Sequence, residues 1–562
     1  MPRLFRTFLA GIALCVASLA HAGDYDVIIR GGTVYDGSGA APVRADIAVS
    51  GEKITAIGDL AGKTATREIN AAGLAVAPGF INMLSWANES LIEDGRSMSD
   101  LKQGVTLEVM GEGWTLGPLN SQMRAAHLKQ QGEFKFDMPW TTLGGYLDHV
   151  AAKGTSTNIA SFVGATTVRQ HVLGSDNVKA SPEQLAAMQG LVREAMREGA
   201  MGVGSSLIYA PGNFADTDEL VALTAAAKEF GGGYISHLRS EGANYEAAID
   251  EILDIGRRTG APVQIYHIKP GGQENWHKSA PILAKLDAAR KAGIDVSANI
   301  YPYTAGATGL YATMPLWVQE GGHDAWVARL KDPAIRARVI AEMRAEPKGW
   351  ENLMRDAGGS DNVLLIAFRK PELRKYTGKT LTEVAKERGT SPEDTIIDLI
   401  IEDDSRVGAA YFLMDEANIV RNIQWPWTMV GSDSGSIAAE GRFLQSNPHP
   451  RAYGTFARFL GKYVRDDKVI PMAEGIRRLT SLPADQLKIK GRGRLVAGNQ
   501  ADIVVFDEAR IADKATFAEP HQYAVGMVHV LVNGEQVLKD GEHTGATPGQ
   551  VVRGAGWSGW SE

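Results

Sequence analysis

Apolar residues run almost without a break from Phe8 to Ala20, behind Arg3 and Arg6 and ahead of Ala20-His21-Ala22. A short basic start, an apolar stretch and a small-x-small step make the pattern of a secretory signal peptide, with cleavage expected after Ala22 and a periplasmic or secreted mature chain. The run falls short of the ~20 residues that a membrane span needs. From Asp24 to Gly58 the pattern changes to apolar-polar alternation, as in Asp26-Val27-Ile28-Ile29-Arg30 and Asp46-Ile47-Ala48-Val49, with Gly31-Gly32 and Gly51 between the pieces. That predicts short half-buried strands. The same alternation returns in the segments 501–507 and 528–535. Both ends of the chain are therefore expected to join in one small β-sandwich domain, built from 23–78 and 491–562.

Between those ends, short apolar runs alternate with helical periods, which is the pattern of parallel βα units. Eight runs are candidate strands: Gly79–Met83, Gly104–Met110, Asn158–Val163, Ala200–Ser205, Gly233–Ser236, Pro262–Tyr266, Val296–Tyr301 and Thr428–Gly431. One intervening helix is explicit, because Ser181-Pro182-Glu183-Gln184 offers an N-cap hydroxyl, a proline at the first helical position and a capping-box glutamine. Leu185, Met188, Val192, Ala195 and Met196 then form its apolar stripe, and Gly199 ends it. Eight such units predict an α/β fold, a TIM-like (β/α)8 barrel over 79–309 and 424–490. The gap before the eighth run is too long for a plain crossover, so a helix-rich insertion is expected over 310–423.

Composition narrows the class. At 562 residues, 44% hydrophobic and 22% charged, the chain is long enough for one large domain with additions. Its only cysteine, Cys15, lies in the expected signal peptide, so a mature chain would hold any metal on His, Asp and Glu. Removing Arg3 and Arg6 takes the net charge from −8 to −10, which gives no basic footprint for nucleic acid or anionic lipid and favours a small-molecule partner.

The chemistry begins with His237 in Tyr234-Ile235-Ser236-His237 and His267 in Gln264-Ile265-Tyr266-His267, each closing an apolar strand. A single helix with apolar positions at Ala248, Ile249, Ile252, Leu253 and Ile255 separates them, so both imidazoles should face the carboxyl-end rim where barrel enzymes assemble their sites. One strand-end histidine is more often structural; two at equivalent places on adjacent strands point to metal. Asp433, in Val430-Gly431-Ser432-Asp433-Ser434-Gly435, ends the last strand and reads equally well as a catalytic carboxylate or as an Asx turn. Gly231-Gly232-Gly233 and Gly271-Gly272 lack the spacing and the lysine of a phosphate loop.

An ordered set of motifs then resembles the N-acyl-D-amino-acid deacylases, or D-aminoacylases, of the amidohydrolase superfamily. It comprises Ala77-Pro78-Gly79-Phe80-Ile81, Gly104-Val105-Thr106, the two histidines, Tyr301-Pro302-Tyr303-Thr304-Ala305-Gly306, Gly431-Ser432-Asp433, His449-Pro450-Arg451 with Tyr453-Gly454-Thr455, and Asn499-Gln500-Ala501-Asp502-Ile503-Val504. The resemblance implies a barrel with a composite β-sandwich, one tightly held zinc and hydrolysis of N-acyl-D-amino acids. Two departures stand out. The family's His-x-His after the first strand is here Leu84 and Trp86, which removes the pair that would hold a second metal. The cysteine that well-known members carry after the second strand falls in Met110-Gly111-Glu112-Gly113-Trp114, where Glu112 is the ligating side chain. A carboxylate is an acceptable zinc ligand in place of a thiolate.

Carried onto this sequence, the resemblance implies zinc on Glu112, His237 and His267, with Asp433 as general base and then general acid. Lys269 and Tyr301 match family positions for the substrate carboxylate; Arg451 is a further candidate, and Arg239 another. Two alternatives stay open: an amidohydrolase acting on dipeptides or other amides with a C-terminal D-residue, and a metal-free binding protein of the same fold. The survival of Glu112, His237, His267 and Asp433 together favours an enzyme over a decayed site. The sequence does not give the oligomeric state.

Overall fold

The computed structural model describes residues 23–132 and 134–558; the expected signal peptide, with Cys15, lies outside the described residues. Each of the eight expected segments carries a parallel strand: β1 (Phe80–Asn82), β2 (Val105–Met110), β3 (Asn158–Ser161, resuming at Val163–Gly164), β4 (Gly202–Ser206), β5 (Gly233–His237), β6 (Val263–Ile265), β7 (Val296–Ile300) and β8 (Thr428–Val430). β3 pairs with β2 through its first part and with β4 through its second, so the break at Phe162 turns one strand between two neighbours. The ring closes where Met83 N donates to Val430 O at 3.2 Å and Asp433 N to Leu84 O at 2.8 Å. β2, β4 and β7 are buried at every position, as expected of parallel strands covered on both faces.

The helix Pro182–Arg197 has the predicted cap: Ser181 Oγ accepts from Gln184 N at 3.2 Å, and the Gln184 side chain accepts from Ser181 N at 2.9 Å. Met188, Val192, Ala195 and Met196 are buried along its barrel face. The helix Tyr245–Thr259 between β5 and β6 buries Ala248, Ile249, Ile252, Leu253 and Ile255, so His237 and His267 leave adjacent strands at the same rim.

Strands from the two ends of the chain meet in one nine-stranded sheet, where Ala75–Pro78 runs antiparallel to Ile503–Phe506. The last residues depart from the expectation for 491–562. Beyond the strand Glu542–His543 the chain leaves that sheet and runs along the start of β3, with Ile159 N donating to Gln550 O and Val552 N to Ile159 O at 3.0 and 2.8 Å.

The insertion also differs. It carries helices such as Pro333–Arg344 and Pro392–Asp403, but it opens at Gly306 rather than at Leu310 and contains a three-stranded antiparallel sheet of Gly306–Gly309, Gly408–Tyr411 and Val363–Ala367. Gly-Ala-Thr-Gly and Gly-Ala-Ala-Tyr carry neither alternation nor β-branched enrichment, so pairing across the insertion, not local propensity, makes these strands. Among the described residues no helix is long and apolar enough to cross a membrane.

Candidate metal centre and active site

Glu112 sits on a turn after β2 between two glycines with left-handed backbone, Gly111 at φ +108° and Gly113 at φ +71°. A side chain at either would collide: a Cβ at Gly111 would lie 2.4 Å from Phe162 O, and one at Gly113 2.6 Å from Ser206 Cβ. The turn therefore packs against its neighbours and aims the carboxylate over the barrel mouth. There Glu112 Oε1 lies 3.1 Å from His237 Nδ1 and 3.1 Å from His267 Nε2. All three residues are buried, and one ligand atom from each falls within 4.8 Å of the others. Two imidazole nitrogens and one carboxylate oxygen facing a cavity fit zinc with a position open to substrate.

Two of the site residues adopt the left-handed backbone that non-glycine residues rarely take, His267 at φ +34° and Asp433 at φ +50°. Neighbouring strands hold both conformations: His267 N donates to Asn299 Oδ1 at 2.7 Å and Asp433 N donates to Leu84 O. Such backbone costs of order 1–3 kcal/mol and persists where the surroundings fix it.

Asp433 faces the triad through Trp86, whose indole Nε1 donates to Glu112 Oε2 at 2.8 Å and to Asp433 Oδ1 at 3.2 Å. Its other oxygen lies 2.7 Å from Arg451 Nη1. Burial raises the Asp433 carboxyl above its ordinary value, against the lowering effect of Arg451. Arg451 stacks over the Tyr301 ring at 4.5 Å, and Lys269 lies over the same ring at 5.7 Å. Arg451 is thus held by the Asp433 carboxylate at Nη1 and by Ala307 O at Nη2, while its buried Nε has no hydrogen-bond acceptor among the described residues. Glu112, His237, His267, Lys269, Tyr301, Asp433 and Arg451 all line one cavity of about 380 Å³.

Arg239 is not at this cavity. It is bound to Glu251, with Nε 2.9 Å from Oε2, and it donates to the Asn213 and Ala215 carbonyls, so it is a structural cation. Of the tryptophans, Trp86 and Trp114 line the cavity.

Sequence reasoning missed Glu241. This buried carboxylate follows His237 by four residues; its Oε1 accepts from Lys269 Nζ at 2.7 Å and lies 3.0 Å from His267 Nδ1, while Oε2 is 3.8 Å from His237 Nε2. Burial pushes its carboxyl up, but Lys269, His237 and His267 outweigh that and hold it well below the usual carboxylate range. It therefore stays charged, orients His267 from behind and places a second carboxylate oxygen near His237. Carboxylates behind metal-ligating histidines raise ligand basicity and fix ring orientation, and losing one typically costs about 10–100-fold in metal affinity. Glu241→Gln is expected to weaken zinc by that factor in a chelator competition while circular dichroism shows the fold intact. Only its place after the Ser236-His237-Leu238-Arg239-Ser240 strand end marks it in sequence, and acidic residues in such loops are common.

A family model for the amidohydrolase family matches residues 67–538. The chain is 35% identical to a D-aminoacylase of Alcaligenes xylosoxydans xylosoxydans, covering 95% of this chain and 99% of that one. It belongs to the amidohydrolase family. Another relative in the same organism is an N-acyl-D-glutamate deacylase, 33% identical over 94% of this chain and 96% of its own length. Among solved structures, an N-acyl-D-glutamate deacylase from Bordetella bronchiseptica, complexed with zinc and a phosphonate mimic of the tetrahedral intermediate, superposes with a TM-score of 0.78. That structure is 31% identical and covers 94% of this amidohydrolase and 99% of its own chain. A D-aminoacylase structure superposes at 0.77 with 33% identity, covering 94% and 100%.

Proposed function

We propose that this amidohydrolase is an exported, zinc-dependent deacylase of N-acyl-D-amino acids, releasing the free D-amino acid and the acyl carboxylate. The observation that carries the reading is the convergence of Glu112, His237 and His267 beside Asp433 in a cavity that also holds Lys269, Tyr301 and Arg451. Glu112, His237 and His267 would hold the zinc, which when bound would supply polarisation of the scissile carbonyl and a lowering of the pKa of water towards ~7. Asp433 removes a proton from that water as its oxygen bonds to the carbonyl carbon. It returns a proton to the amide nitrogen as the C–N bond breaks. Trp86 holds Asp433 and Glu112 in register through one indole N–H. Lys269, the Tyr301 hydroxyl and Arg451 bind the α-carboxylate, as charge-assisted donors suit a carboxylate.

The D-preference rests on relatives named for D-amino-acid substrates. Export rests on the N-terminal residue pattern, and a flanking β-sandwich domain on the sheet in which strands from both ends of the chain meet. The test is the metal content of the purified mature protein with hydrolysis of a panel of N-acetyl-D- and N-acetyl-L-amino acids, with and without chelator. About one zinc per chain and chelator-sensitive release of D-amino acids are expected. Zinc without turnover would move the reaction to another amide, and a metal-free protein would make it a binding protein.

A further inference from the structure

A series of edge-on and tilted ring contacts orders the cavity from one side to the other. Tyr301 lies 6.1 Å from His267, His267 lies 4.4 Å from His237, His237 lies 5.3 Å from Tyr209, and Tyr209 lies 5.3 Å from Tyr311, centroid to centroid. The α-carboxylate donors Lys269, Tyr301 and Arg451 follow β6, β7 and β8, at the His267 end of this series. Tyr209 follows β4, while Tyr311 and Arg406 come from the insertion and complete the opposite wall. Arg406 lies 5.8 Å over the Tyr311 ring. Its side chain is exposed, it lines the cavity, and it forms no ion pair among the described residues; Glu89 acts on it only at longer range.

A substrate with its α-carboxylate at Tyr301 and its scissile carbonyl at the triad must send its acyl chain towards Tyr209, Tyr311 and Arg406. A neutral acyl chain would satisfy the two aromatic rings and leave the guanidinium without a counter-charge. We infer that Arg406, with the Tyr311 hydroxyl, forms a subsite for an anionic group at the far end of the acyl chain, so that the enzyme takes N-acyl-D-amino acids whose acyl group is a dicarboxylic half-amide of the succinyl type. This inference rests on the deacylase reading and adds the acyl-group chemistry to it.

The test compares N-succinyl-D-alanine, its neutral N-succinamyl analogue, N-acetyl-D-alanine and N-acetyl-D-glutamate on the zinc-loaded enzyme and on Arg406→Gln and Arg406→Lys. Turnover is measured for all four, and binding of the first two by calorimetry. A charge-assisted contact predicts that the wild type favours succinyl over succinamyl by roughly 10–100-fold in kcat/KM, that Arg406→Gln erases the preference, and that Arg406→Lys keeps part of it. N-acetyl-D-alanine should be unaffected by either substitution, which excludes a folding defect as the cause. Turnover of N-acetyl-D-alanine with no succinyl preference would overturn the subsite and leave the deacylase reading standing. A loss in Arg406→Gln confined to N-acetyl-D-glutamate would overturn it by placing the anion on the amino-acid side chain. Tighter binding of the succinyl compound, lost in Arg406→Gln but without turnover of any of the four, would support the subsite while overturning the reaction. Absence of both turnover and an Arg406-dependent binding preference would overturn both.

Discussion

Asp433→Asn should abolish nearly all turnover while leaving zinc bound. General acid-base catalysis contributes typically about 10²–10⁴-fold, and both proton transfers of the proposed reaction fall on this one carboxylate, so a loss in kcat of that order is expected. Three features make asparagine a clean probe. The left-handed backbone at φ +50° is one that asparagine tolerates, so the turn after β8 persists. The amide oxygen can still accept from Trp86 Nε1, which keeps the indole in place against Glu112. The three residues that could hold the metal, Glu112, His237 and His267, all stay in place. The loss should appear mainly in kcat, because the variant leaves Lys269 and Tyr301 to hold the α-carboxylate, while Arg451 loses the carboxylate oxygen 2.7 Å from its Nη1. Metal analysis and steady-state kinetics on the same preparation decide the matter: retained kcat would remove Asp433 from the proton path, and loss of zinc would make it a structural support of the centre.

How far the sequence led can be judged residue by residue. The barrel was legible because buried parallel strands read as short apolar runs and the intervening helices carry their own caps and stripes, as Ser181 to Arg197 does. His237 and His267 were legible because the equivalence of two strand ends can be counted. Asp433 stayed ambiguous, since a glycine-flanked aspartate at a strand end has the same local signature whether it caps a turn or faces a metal. The insertion's sheet was hidden because Gly306–Gly309 and Gly408–Tyr411 become strands only by pairing with each other across about a hundred residues. Glu241 was hidden for the same kind of reason: its role exists only once the helix Tyr245–Thr259 returns the chain to His267 and Lys269.

The two departures from the family pattern turn out to be neighbours. Trp86 stands where a ligating histidine would be, and Glu112 where a cysteine would be, and the indole N–H of the first donates to the carboxylate of the second. A thiolate has one ligating atom and accepts hydrogen bonds weakly, whereas a carboxylate offers one oxygen towards the histidines and the other to a donor. Read together, the substitutions exchange a pair of possible metal ligands for a donor that fixes a single carboxylate ligand.

Glu112→Ala should therefore reduce zinc from about one per chain to almost none, and activity with it. His237 and His267 would remain with Glu241 behind them, but two imidazoles without the charged third ligand hold zinc weakly, and the loss should exceed the ~10–100-fold typical of an outer partner such as Glu241. The metal-free protein also predicts how zinc competes with protons. Burial and Lys269 push the His267 imidazole down, but the Glu241 and Glu112 carboxylates outweigh them and push it up to about 9. Below that pH the imidazole is protonated in the metal-free state, and zinc must displace the proton. In the wild type, zinc affinity should therefore rise with pH until about 9 and level off above it. Calorimetric titration in buffers of different ionisation enthalpy measures both the affinity and the released proton. A Glu112→Ala protein that retains stoichiometric zinc would show that the carboxylate is not a ligand, and pH-independent affinity in the wild type would show that no proton occupies the place zinc takes.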